Sequence, residues 1–210
     1  MPSFLWNGPD DASITLILAH GAGAPMDSSF LEKFAKGLAD RGIRVARFEF
    51  PYMHARREGG SGRAPDRTPV LLDSWRAAYA AVQAEAAGPV AIGGKSLGGR
   101  MASMIADEVS AAGLVCLGYP FHPPGQLEKL RTAHLAALTT PTLIAQGTRD
   151  PFGTREEVAG YTLSPAIRIE WIESGEHSWK PLARSGRTEA QNLEAGIEAV
   201  AVFLTDLSDR

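Results

Sequence analysis

The stretch Val90-Ala91-Ile92-Gly93-Gly94-Lys95-Ser96-Leu97-Gly98-Gly99-Arg100-Met101 decides how this chain is read. It opens on a short apolar run, Val90–Gly93, of the kind found in strands covered on both faces. Beyond it Met101, Met104, Ile105 and Val109 recur at helical spacing. Between the two lies Gly94-Lys95-Ser96-Leu97-Gly98, a G-x-S-x-G match. In a chain with 22 glycines the match alone is weak; its place at a strand-to-helix junction gives it weight. A serine held on so sharp a turn needs neighbours almost without side chains two positions either way, because Cβ atoms there would meet each other and the adjacent strand. Gly94 and Gly98 meet that demand, and Gly99 extends it. The turn also leaves the Leu97 N–H aimed where charge would develop on a carbonyl oxygen attacked by Ser96. The competing readings are a glycine-rich phosphate turn and a plain β–α connection.

Outward from this junction, short β-rich runs alternate with helical patterns, as in a parallel sheet joined by helices. The strand runs are Ile14–Ala19, Ile43–Phe48, Val90–Gly93, Leu114–Leu117, Thr142–Gln146 and Ile167–Ile172, with Ser3–Trp6 as an antiparallel edge. Phe30, Leu31, Phe34, Ala35 and Leu38 mark one helix, opened by a Ser29-x-x-Glu32 capping box and closed near Gly42. Thr68 caps a second that starts at Pro69 and carries Leu72, Trp75, Tyr79, Val82 and Ala86 on one face. Leu193, Ile197, Val200, Leu204 and Leu207 form the last. The Gly/Arg-rich segment Pro51–Thr68 reads as a loop, either mobile over a site or simply at the surface. Tyr119–Thr140 begins with turn residues and holds one short helix around Thr132–Leu138.

At 210 residues the prior is a single domain spanning 1–210. The 21 Lys and Arg against 24 Asp and Glu give a net charge of −3 with no basic block, which argues against nucleic-acid binding. Cys116 is the only cysteine and lies in an apolar run, so it reads as a core residue in a reducing compartment. Neither a leader peptide nor a membrane span is legible, so the expectation is a cytoplasmic protein with no membrane partner. No H-E-x-x-H, paired cysteines or complete phosphate-binding loop is present, so neither metal nor cofactor is implied. Oligomeric state is not legible.

A serine hydroxyl needs a base to become a nucleophile, and the base an orienting acid. With the serine first in chain order, the acid follows a late strand and the histidine the last one. Asp150, after Thr142–Gln146, and His177, after Ile167–Ile172, fit those places, both at the strand ends where open α/β sheets build sites. Glu173 and Glu176 are alternative acids. His122 is the rival base, leaving a strand end in Tyr119-Pro120-Phe121-His122; His20 braces a loop, His54 sits in the Gly/Arg-rich segment and His134 has helical neighbours. The second oxyanion donor is expected from His20-Gly21-Ala22-Gly23-Ala24-Pro25, first the Ala22 N–H, then Gly21 or Gly23. Gly21, Lys95, Arg100, Tyr119 and His122 are candidate substrate contacts, Arg100 being equally readable as a structural cation on a helix face.

These residues resemble the α/β hydrolases, and within them the small, nearly lidless dienelactone-hydrolase-like group. More narrowly, LAHGAGAPMDS, IGGKSLGGRMAS, LGYPFHPPG and TLIAQGTRDPFG resemble bacterial relatives of a vertebrate testis-expressed protein and of a subunit of the NSL chromatin complex. The resemblance implies an α/β-hydrolase fold, a mostly parallel sheet with helices on both faces and a minimal or absent cap. It also implies Ser96 as nucleophile, Asp150 as acid and His177 as base. Dienelactone hydrolases carry cysteine at the elbow where this chain has Ser96, a departure that bears against a dienelactone as substrate; the expected activity is cleavage of a small ester or thioester through an acyl-enzyme. A lyase or acyltransferase could use the same triad. The NSL subunit is regarded mainly as a scaffold, so a catalytically silent interaction module, using the arginines Arg56, Arg57, Arg63 and Arg67, is the alternative. The segment Gly118–Leu138 is too short for a helical cap domain.

Overall fold

In a computed structural model, which describes residues 2–59 and 64–209, seven strands form one sheet in the order β1-β3-β2-β4-β5-β6-β7. The strands are β1 (Phe4–Asn7), β2 (Thr15–Ala19), β3 (Arg44–Phe48), β4 (Val90–Lys95), β5 (Leu114–Leu117), β6 (Thr142–Gly147) and β7 (Ile167–Ile172). All neighbours are parallel except β1, which pairs antiparallel with β3 from Phe4 opposite Phe48 to Asn7 opposite Val45. The C-terminal ends of β2, β4, β5, β6 and β7 therefore share one edge.

Helices α1 (Ser29–Ala39) and α6 (Glu189–Ser208) cover one face, and α3 (Thr68–Gln83) and α4 (Leu97–Ser103) the other. The strands alternate between the two cores: Ile17, Val90, Ile92 and Cys116 face Trp75 and Met101, while Leu16, Leu18, Ala91 and Val115 face Phe34 and Val200. Each fully buried Leu or Ile contributes roughly 2 kcal/mol through apolar burial. Among the described residues no helix is long and apolar enough to cross a membrane.

Four local expectations are corrected. Ser28 precedes α1 without a side-chain cap, and the Glu32 N–H bonds the Ser28 carbonyl, so the Ser29–Glu32 capping box does not form. Thr68 is the first residue of α3, with Arg67 before it; a proline near the start has no N–H to lose there, and the helix begins at the residue expected to cap it, one before Pro69. Its buried face runs through Leu71, Trp75, Ala78 and Val82, with Leu72 and Tyr79 at the margin. Helix α4 stops at Ser103, where bonds from Met104 and Ile105 to the carbonyls three residues back tighten the chain into turns and leave Met104 exposed.

The Pro51–Thr68 segment opens as a helix, α2 (Pro51–Arg57). Proline starts the helix, Tyr52 and Met53 are buried, and Arg57 is clamped to Glu49 and Asp27. Gly60, Ser61, Gly62 and Arg63 lie outside the described residues. The remaining short helix, α5 (Arg155–Val158), is capped by the Thr154–Glu157 box, and α6 by Thr188–Gln191.

Candidate active site

Ser96 sits at the tip of β4 with φ 50° and ψ −111°, a conformation that L-residues rarely adopt. Its surroundings force the turn. A Cβ on Gly94 would lie 2.5 Å from the Ala19 carbonyl oxygen and 2.8 Å from the Gly98 carbonyl carbon. A Cβ on Gly98 would lie 2.5 Å from that same oxygen and 2.7 Å from the His20 carbonyl oxygen. Only glycine lets strand, turn and helix approach this closely. The strain is held by backbone bonds on both sides: Ser96 N–H donates to the Leu117 carbonyl at 3.1 Å and Arg100 N–H to the Ser96 carbonyl at 3.0 Å.

Asp150 lies after β6 and is fully buried. Its Oδ1 accepts the Phe152 N–H at 2.9 Å and its Oδ2 faces His177 Nδ1 at 2.8 Å. His177 lies in the loop after β7, and its Nε2 stands 2.9 Å from Ser96 Oγ. Because the carboxylate is acceptor-only, this arrangement places the imidazole proton on Nδ1 and leaves Nε2 free to accept from the serine hydroxyl. Phe152 packs on the imidazole with ring centres 4.3 Å apart. The His177 loop is held by left-handed residues at Ser174 and Trp179. The Glu176 carboxylate accepts the Ser178 and Lys180 N–H groups within this loop, and Glu173 faces Arg155; both alternative acids are thereby occupied elsewhere.

The loop after β2 approaches from the other side. His20 is buried, which lowers its pKa and keeps the ring neutral; it donates from Nδ1 to the Gly21 carbonyl and accepts the Phe50 N–H at Nε2. Burial pushes the Tyr52 phenol up to about 12, so it stays protonated and donates to the Gly21 and Ala22 carbonyls, each at 3.2 Å. Among the described residues neither the Ala22 nor the Leu97 N–H has a protein acceptor. A cavity of about 350 Å³ lies in front of Ser96 and is walled by Gly21, Ala22, Phe30, Lys95, Phe152 and His177.

Lys95 runs beneath the imidazole: its ammonium donates to the His177 carbonyl at 2.7 Å and lies 5.8 Å from the centre of the Phe30 ring. Burial brings its pKa down to about 8, against the opposing pull of the Asp150 and Glu176 charges. Gly118, with φ +69°, leaves room for this ammonium; a Cβ there would stand 2.9 Å from Nζ.

Of the other candidate contacts, Gly21 and Lys95 line the cavity, whereas Arg100, Tyr119 and His122 do not. Tyr119 is buried and donates to the Arg131 carbonyl. His122, also buried, lies between the Pro123 carbonyl and the Glu157 carboxylate, out of contact with Ser96. Burial raises the pKa of Tyr119 and lowers those of Arg131 and His134, and the Arg100 charge pulls all three down. Phe30 and Phe152 were missed as cavity residues: the first lies on a core stripe and the second in a turn, and neither pattern marks a wall.

A family model described as an alpha/beta hydrolase domain matches residues 12–205. The chain belongs to the alpha/beta hydrolase family. Carboxymethylenebutenolidase of Pseudomonas sp. (strain P51) is 36% identical over 106 residues, which span 49% of this chain and 42% of that protein. The chain thus covers less than half the length of that curated relative. Among solved structures, a lidless α/β serine hydrolase from Xanthomonas campestris superposes with a TM-score of 0.70 at 20% identity, over 97% of this chain and 95% of that one. Dienelactone hydrolase from Anabaena variabilis gives 0.76 at 17% identity over 98% of each chain. At these identities the likeness is one of fold.

Proposed function

We propose that this protein is a serine hydrolase that cleaves an ester or thioester of a small molecule through an acyl-enzyme. The observation that carries the reading is the unbroken relay from Ser96 Oγ through His177 Nε2 and Nδ1 to Asp150 Oδ2, with links of 2.9 and 2.8 Å. In this reading Ser96 Oγ attacks the substrate carbonyl as its proton passes to Nε2, and the buried Asp150 carboxylate stabilises the imidazolium. The Leu97 and Ala22 N–H groups, which lack protein acceptors among the described residues, receive the developing oxyanion. The imidazolium then protonates the leaving alcohol or thiol, forming the acyl-enzyme. His177 next takes a proton from water, whose oxygen attacks the ester carbonyl, and returns it to Ser96 Oγ as the bond to the acyl carbon breaks, releasing the acid and free Ser96. Gly21, Lys95 and Phe30 bound the space open to the substrate.

The test is labelling with a fluorophosphonate probe together with turnover of a nitrophenyl acetate. Wild type is expected to form a Ser96 adduct and to hydrolyse the ester. Ser96→Ala, which removes one oxygen from a folded loop, is expected to lose both with an unchanged unfolding midpoint. A folded wild type without an adduct, or Ser96→Ala turning over as fast as wild type, refutes the reading and leaves the interaction-module alternative.

A further inference from the structure

The two N–H groups assigned to the oxyanion differ in what aims them. Leu97 is the first residue of α4, so the helix fixes the direction of its N–H. Ala22 is exposed and lies in the loop between β2 and α1, outside any helix or strand. Gly21, with no Cβ, leaves its own side of the Gly21–Ala22 peptide free to rotate, and turning that peptide over would carry the Ala22 N–H away from the cavity. Side chains have to do what regular backbone does for Leu97.

Because a trans peptide unit is planar, its N–H points opposite to its C=O, and whatever grips the Gly21 carbonyl sets the direction of the Ala22 N–H. Two side chains donate to that carbonyl: His20 Nδ1 at 2.6 Å and Tyr52 Oη at 3.2 Å. His20 belongs to the same loop, whereas Tyr52 comes from α2. The phenol also reaches the Ala22 carbonyl at 3.2 Å, where Arg56, one turn along α2, donates at 3.4 Å. Tyr52 is itself fixed. Its ring stacks on Phe50 with centres 6.3 Å apart and meets the His20 ring edge-on at 5.7 Å, and its N–H donates to Asp66 Oδ2 at 2.9 Å. The side chain is buried behind the loop rather than in the wall of the cavity. Donation to a peptide carbonyl also polarises the N–H of the same unit.

We propose that Tyr52 is a positioning residue for the oxyanion: by donating to the Gly21 carbonyl from α2, it holds the Gly21–Ala22 peptide with the Ala22 N–H turned into the cavity. This role rests on the hydrolase reading and extends it to a residue that touches no reacting atom. The test is Tyr52→Phe, which removes one oxygen and keeps the ring, assayed on a nitrophenyl acetate and for affinity to a trifluoromethyl ketone, whose Ser96 adduct carries the oxyanion. Removing an oxyanion donor costs about 10²- to 10³-fold in kcat, so misaiming one is expected to cost roughly 10- to 100-fold, with KM within about twofold. Ketone affinity is expected to weaken by the same factor as kcat/KM. In two-dimensional NMR the Ala22 amide proton is expected to move downfield when the adduct forms in wild type, and to move less in Tyr52→Phe. A tyrosine that only supported the fold would leave that shift and the ketone affinity untouched. Tyr79→Phe, on α3, where the phenol donates to the Ser110 carbonyl, is the control and is expected to match wild type. Should Tyr52→Phe fail to fold, Asp66→Ala, at a half-buried position, frees the Tyr52 N–H and is expected to lower kcat and ketone affinity in parallel by about threefold or more. A wild type without turnover or adduct refutes the hydrolase reading and this role together. With an active wild type, a folded Tyr52→Phe that matches it in kcat and ketone affinity, a loss confined to KM, an Ala22 shift equal to wild type, or an Asp66→Ala that matches wild type where it stands in, overturns the role of Tyr52 alone.

Discussion

Asp150→Asn is the sharpest perturbation of the site because the replacement keeps the shape and changes only what the two oxygens can do. In the native chain both accept: Oδ1 takes the Phe152 N–H and Oδ2 faces His177 Nδ1. Asparagine has one accepting oxygen and one donating NH₂, so one of these contacts must invert. Turning the NH₂ toward Phe152 sets donor against donor and leaves a buried N–H unpaired, at about 1–3 kcal/mol. The favoured orientation therefore presents NH₂ to the imidazole, which must accept at Nδ1 and carry its proton on Nε2, pointing at Ser96 Oγ. The base then holds the proton it is meant to take. The competent tautomer becomes roughly 5- to 150-fold rarer, and the lost carboxylate removes up to about 4 kcal/mol of attraction for the imidazolium. Together these give a fall in kcat/KM of about 10³ to 10⁵. The assay is initial-rate hydrolysis of a nitrophenyl acetate at neutral pH, with a urea unfolding curve to show that the variant is folded. A folded Asp150→Asn enzyme within tenfold of wild type refutes the assigned role of this carboxylate.

Three further outcomes follow from the same geometry. Gly98→Ala places a Cβ 2.5 Å from the Ala19 carbonyl oxygen in a sheet that cannot yield, so a loss of about 1–3 kcal/mol in denaturant-measured stability is expected together with loss of activity. Lys95→Met removes a buried amine whose pKa is brought down from 10.5 to about 8. Since the unfolded chain binds the extra proton between those values, wild-type stability gains up to about 3 kcal/mol from this group as pH rises through that window, and urea midpoints of the methionine variant lack the gain. Asn192→Ala unpairs the Glu173 and Trp179 carbonyls that Asn192 Nδ2 serves at 3.1 and 2.7 Å; a destabilisation of about 1–3 kcal/mol and a lowered kcat are expected, and an unchanged kcat counts against its hold on the His177 loop.

The parallel sheet was legible because its central strands are covered on both faces and so read as nearly unbroken apolar runs: Thr15–Ala19 and Leu114–Leu117 are buried throughout. Ser96 and Asp150 could be nominated because each follows such a run, and His177 because it follows the last strand, Ile167–Ile172, an edge strand in which Arg168 and Glu170 alternate with apolar residues. Their convergence could not, since the strand order β4-β5-β6-β7 that brings three separated loops to one edge is set by pairing across the sheet. Helix α2 was hidden because Pro51 and the arginines of its last turn look like loop chemistry, while the evidence of burial rests on only Tyr52 and Met53. Cap positions went astray at α1 and α3 because a serine or threonine near a helix start is compatible with several neighbouring registers.

What the sequence pattern conceals most completely is the means by which the loops are kept still. Loops at a sheet edge carry backbone groups without strand partners, and each exposed or unpaired group is a route to motion. Here three buried polar side chains answer for three loops. His20 links Gly21 to Phe50; Gln146 accepts the Tyr119 N–H and donates to the Tyr119 and Gly153 carbonyls; Asn192 donates to the Glu173 and Trp179 carbonyls. His20, Gln146 and Asn192 are completely buried. Each sits on or beside an element of the rigid sandwich and reaches outward, so the order of the core is transmitted to the loops bearing Ala22, Asp150 and His177. A relay with links near 2.9 Å tolerates little displacement, because catalytic geometry degrades steeply over an ångström. The architecture therefore meets the demand for precision with amide and imidazole side chains buried behind the site.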